Sequence, residues 1–118
     1  MDRYRKGGYK SIGIDLTKYE IQERFDLQLH REPYSISENI IFLGEVPRVT
    51  DFEAKSTPYI IAGGAEDPIT DDSGLVIVTK TGLVIFSGCA HSGICNMILH
   101  AQAVTGMREV RAVIGGFH

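Results

Sequence analysis

The chain has 118 residues, with 12 Lys and Arg against 15 Asp and Glu, a formal net charge of −3. With 43% apolar and 23% charged residues the composition is that of a globular protein, which excludes disordered and collagen-like chains, and the length suits one compact domain. No apolar run approaches the roughly 20 residues that span a bilayer, no apolar segment follows the basic N-terminus, and Lys and Arg do not cluster, so a membrane helix, a secretory signal and a nucleic-acid partner are not expected.

The first 35 residues are polar and weakly patterned. Ser11–Asp15 alternates briefly, and Phe25–His30 alternates cleanly, which predicts a half-buried strand that Glu32-Pro33 ends. Asn39–Gly44 is a short apolar run between Pro33 and Pro47 and reads as a second strand. From Arg48 to Ser73 no period is sustained, a long loop of the kind that is often functional. Leu75–Thr79 and Leu83–Ser87 are β-branched runs around Lys80-Thr81-Gly82, a hairpin. Neither run alternates, which predicts strands covered on both faces, as in a layered α/β fold. Ile94, Met97, Ile98, Ala101 and Val104 then recur at helical spacing, predicting a helix over Ser92–Thr105, with Ser92 as its N-cap and Gly106 as a left-handed C-terminal cap. Val110–Ile114 follows as a strand, leading into Gly115-Gly116-Phe117-His118. No internal repeat is visible.

A strand–helix–strand crossover makes Leu83–Ser87 and Val110–Ile114 parallel, so both end on one edge of their sheet. Gly88-Cys89-Ala90-His91 follows the first and Gly115-Gly116-Phe117-His118 the second, each a glycine-rich lead-in to a histidine. Open α/β sheets place their ligands at this carboxyl edge. Two imidazoles there point to a metal site, with His91 and His118 as ligands. Taken singly, either histidine has the plainer reading of a loop or cap residue. Cys89, near the start of a helix and two residues from His91, opens a competing reading as a nucleophile with a histidine base. Two cysteines are too few for a disulfide framework, so the reducing cytoplasm is the expected compartment. Cys95 reads as packed, His100 as an exposed helical residue, and His30 as without chemical role. Asp71-Asp72 can cap a turn or lie near the metal, with Asp72 the candidate. Glu45 and Arg48 could bind substrate or form a surface ion pair.

The residues from Asp71 through Ile94, with Val113-Ile114-Gly115-Gly116-Phe117-His118, resemble the metallo-β-lactamase-fold hydrolase superfamily, and within it the branch of dihydropterin-ribofuranosylaminobenzene-phosphate synthase-like proteins. Ile41-Phe42-Leu43-Gly44-Glu45-Val46-Pro47-Arg48 fits the same branch, so the likeness covers residues 36 to 118. It implies an αββα sandwich binding one or two divalent ions, usually zinc, with His91 and His118 among the ligands. It also implies metal-activated water or a polarised phosphate or ester oxygen in a small-molecule substrate. The superfamily's His-x-His-x-Asp-His loop is missing, since the histidines are His30, His91, His100 and His118. The chain is therefore expected to be a partial domain, the C-terminal half of such a sandwich. It would be inactive alone, and would associate with itself or with a complementary N-terminal half. A transferase in the full-length protein and a stand-alone binding or regulatory module are the alternatives.

Overall fold

The short connection Lys80-Thr81 turns the chain back because Gly82 adopts φ 138, where a Cβ would meet the Glu109 carbonyl oxygen at 2.9 Å. The two arms are β5 (Gly74–Thr79) and β6 (Gly82–Ser87), antiparallel with Thr79 opposite Gly82 and Gly74 opposite Ser87. Helix α2 (Ile94–Thr105) crosses from β6 to β7 (Val110–Gly115), which pairs parallel to β6. On the other side β3 (Ile40–Phe42) pairs antiparallel with β5, and β2 (Tyr34–Ser35) with β3, giving a five-stranded sheet in the order β2-β3-β5-β6-β7. The expected hairpin, crossover helix and parallel strand are all present.

The computed structural model describes residues 3–5 and 11–118, and the chain's contacts divide between two compact units. The sheet and α2 belong to the larger, His30–Lys55 with Ile69–His118. Its core is one face of the sheet against the helix: Leu43, Val46, Val76, Leu83 and Ile85 pack with Met97 and Ala101, all buried. At about 25 cal/mol per Å² of apolar surface removed from water, this layer is the main source of the unit's stability. The continuous apolar runs predicted strands covered on both faces. Instead Val76, Leu83 and Ile85, on the face that α2 covers, are buried, while Leu75, Ile77, Val84 and Phe86 on the other face are exposed or half-buried.

The smaller unit, Met1–Leu29 with Ser56–Pro68, holds β1 (Arg3–Arg5) antiparallel to β4 (Tyr59–Ile61) and the short helix α1 (Lys18–Gln22). Arg3 pairs with the buried Asp67 at 2.5 Å. Helix α1 has a capping box: Thr17 Oγ1 accepts from the Glu20 N–H, and the Glu20 carboxylate accepts from Thr17 N–H at 2.7 Å.

The strand expected at Phe25–His30 does not form. Phe25 and Leu29 are exposed, and among the described residues no strand supplies ladder hydrogen bonds to the segment. Ser11–Asp15 contributes only an isolated bridge from Ser11 to Tyr4. The long loop from Arg48 to Ser73 is irregular except for β4.

Candidate metal centre

Strands β6 and β7 end side by side, and their glycine-rich extensions continue the pairing beyond the sheet. The Gly116 N–H donates to the Gly88 carbonyl and the His118 N–H to the Cys89 carbonyl, both at 2.9 Å. Gly115, at φ 144, allows this approach, because a Cβ there would lie 2.1 Å from the Ser87 carbonyl oxygen. The result brings His91 and His118 together with ring centroids 5.2 Å apart and planes 18° from parallel.

His91 sits in a tightly constrained loop. Ala90 before it is buried at φ 56, a left-handed conformation that costs a non-glycine residue about 1–3 kcal/mol and persists only where its surroundings enforce it. The Gly93 N–H donates to the Ala90 carbonyl at 3.0 Å, closing a turn around His91. Ser92 is buried, its N–H donating to Asp72 Oδ2 at 2.9 Å and its hydroxyl to the same oxygen. Ser92 is therefore not the N-cap of α2. That position falls to Gly93 at φ 95, and the first-turn N–H groups of Cys95 and Asn96 donate to the Glu53 carboxylate at 3.2 and 2.5 Å. Asn96 in turn accepts from the Val49 and Thr50 N–H groups, both at 2.9 Å, and donates to the Ser92 carbonyl at 2.8 Å. The irregular 48–53 segment is thus fastened to the start of the helix, a role that no local pattern announced.

This arrangement bears on the remaining candidates. Cys89 is exposed and Cys95 half-buried, both as free thiols. The positive end of α2, which would have assisted a Cys89 nucleophile, is occupied by Glu53. Asp72 is buried and engaged with Ser92, while Asp71 is exposed. Glu45 is exposed, and Arg48 is half-buried with its guanidinium donating to the Ile69 carbonyl at 3.5 Å. His100, expected to be exposed, is half-buried with Nε2 2.9 Å from the Leu43 carbonyl oxygen, because its side of the helix faces the end of β3. His30 stacks on Tyr34 with centroids 3.9 Å apart.

Among the described residues no group of three or more His, Cys, Asp or Glu is placed to hold a metal ion. Two imidazoles are suitable ligands in kind for zinc and related ions but short of the three or four protein ligands such a site needs. Among the described residues no helix is long and apolar enough to cross a membrane.

This mixed α/β layer matches a metallo-β-lactamase-type fold. A solved metal-dependent hydrolase of the β-lactamase superfamily matches it with a TM-score of 0.77 and 25% identity, over 99% of this chain and 44% of the other. The chain is also similar to the 7,8-dihydropterin-6-methyl-4-(β-D-ribofuranosyl)-aminobenzene-5′-phosphate synthase of Methanocaldococcus jannaschii, 41% identical over 96 residues, covering 76% of this chain and 33% of the synthase. An uncharacterised protein of the same organism is 33% identical over 119 residues, covering 100% of this chain and 43% of its own length. The chain spans less than half the length of these relatives. No family model matches it.

Proposed function

We propose that the chain supplies two histidine ligands, His91 and His118, to the metal centre of a metallo-β-lactamase-type enzyme, as the C-terminal part of its catalytic domain. The observation that carries this is the pair of imidazoles stacked 5.2 Å apart where β6 and β7 end. A divalent ion held there, zinc by the chemistry of imidazole ligands, would supply Lewis acidity and an activated water. The chain's own residues hold the two imidazoles at one edge and leave further coordination to ligands from outside the described residues. The reaction would be hydrolysis of a small molecule carrying a phosphate or ester, or a group transfer; the solved metal-dependent hydrolase supports the first and the synthase relative the second. The reducing cytoplasm suits the two free cysteines.

Zinc titration of the chain by calorimetry tests this reading. Two ligands give binding well short of the about 10–16 kcal/mol of a closed structural zinc site, and His91→Ala or His118→Ala each removes it. Tight zinc binding that survives both substitutions would overturn it.

A further inference from the structure

Asp72, expected near the metal, is bonded to the loop that carries His91. Asp72 is 9% exposed, and both of its hydrogen bonds to Ser92 converge on one oxygen, Oδ2. Ser92 directly follows His91 in the loop whose other side is held by the Gly88 and Cys89 carbonyls. Behind Ser92, Gly93 lies against Glu53, where a Cβ would come within 2.3 Å of the carboxylate carbon. Asp72 is itself fixed, its N–H donating to the Ile69 carbonyl at 3.1 Å. That carbonyl also accepts from Arg48.

We propose that Asp72 is a positioning residue: through Ser92 it fixes the Ala90–Gly93 turn and so sets His91 in register with His118. The proposal rests on the metal reading above for its purpose, but the geometry it asserts is a property of the metal-free chain. A carboxylate that accepts two hydrogen bonds on one oxygen needs only that oxygen for the task. An asparagine amide can present its carbonyl oxygen in the same place, whereas alanine cannot. A metal ligand would behave in the opposite way, because the asparagine amide is a far poorer ligand than the carboxylate.

The test uses Asp72→Ala, Asp72→Asn and Ser92→Ala in the 118-residue chain, with two readouts. In the metal-free protein, cross-peaks between the His91 and His118 ring protons report the register directly. They are expected in the unmodified chain and in Asp72→Asn, and are lost or strongly weakened in Asp72→Ala and Ser92→Ala. In zinc titrations Asp72→Ala lowers affinity about 10–100-fold, the usual effect of losing an outer-shell partner. Ser92→Ala lowers it less, and Asp72→Asn leaves it within a few-fold. Equal losses in Asp72→Asn and Asp72→Ala, with Ser92→Ala unchanged, would identify Asp72 as a ligand and overturn the proposal. Ring cross-peaks unaltered in Ser92→Ala would also overturn it, and this variant decides the question if Asp72→Ala does not fold. If the unmodified chain binds no zinc, the metal reading fails, and the ring cross-peaks alone decide the role of Asp72.

Discussion

At Gly115 the backbone sits at φ 144, and an added Cβ would lie 2.1 Å from the Ser87 carbonyl oxygen. No flexible side chain is there to give way, so Gly115→Ala must either strain the backbone or part β7 from β6 where the histidine loops begin. Strain at such an angle and overpacking each cost about 1–3 kcal/mol, so the substitution is expected to destabilise the chain by about 3 kcal/mol. Denaturant unfolding measures this, and a loss below about 1 kcal/mol would mean that the two loops are not zipped as described. His91 and His118 were legible because topology alone brings the ends of two parallel strands to one edge. The partner of Ser92 was not, because it lies 20 residues away across the hairpin. A serine before an apolar helical run looks the same whether it caps the helix or faces a buried carboxylate. His100 misled for a similar reason: helical spacing shows which side of a helix a residue occupies, but not that the Leu43 carbonyl oxygen lies opposite.

Elements whose signals are local formed where the sequence placed them. The hairpin, the parallel strand β7 and the left-handed cap at Gly106, φ 71, each depend on neighbouring residues. The strand expected at Phe25–His30 depended on a partner that its own alternation could not provide. The start of α2 depends on Glu53, more than 40 residues before the N–H groups it accepts. Glu53→Ala is therefore expected to cost about 1–2 kcal/mol, while Glu53→Gln, which keeps an acceptor but loses the charge at the helix N-terminus, costs less. Protection of the Cys95 and Asn96 amides in hydrogen exchange would fall in the same order. Helix α1 adds a pH dependence. The backbone hydrogen bond from Thr17, followed by that from its hydroxyl, holds the Glu20 carboxyl below its ordinary value. A depressed folded pKa contributes stability that is complete above the unfolded value and is lost as pH falls through the folded one. Helix α1 should consequently fray in the acid range below the usual glutamate value, with Glu20→Gln removing the dependence. Amide chemical shifts over Lys18–Gln22 follow it.

At the scale of the whole molecule, the face of the sheet that α2 does not cover is apolar. In register, Phe42 lies opposite Leu75, Leu75 opposite Phe86, and Phe86 opposite Ile114, so one apolar row crosses β3, β5, β6 and β7. Ile40, Ile77, Val84 and Ala112 form a second row on the same face. Leu75 is 36% and Ile114 49% exposed, while the others are half-buried. Fully burying a Val, Leu, Ile or Phe is worth about 1.5–3 kcal/mol. Covering even part of two such rows therefore rivals the about 5–15 kcal/mol net stability of an ordinary domain. A contiguous apolar face of this kind drives association. The 118-residue chain is expected to self-associate through this face, its sedimentation-derived mass rising with concentration. Leu75→Lys with Ile114→Lys places charge at the two most exposed positions of the row and leaves the helix-side core untouched. The double variant should therefore sediment as a monomer with its helix and hairpin intact. The relatives, more than twice as long, have sequence from which a second layer could be drawn. Adding such a segment to the unmodified chain should suppress self-association as the lysines do, and unlike them should raise the melting temperature. A monomeric unmodified chain with a cooperative melt above about 60 °C would show that this face needs no cover, and would favour a stand-alone module over part of a larger catalytic domain.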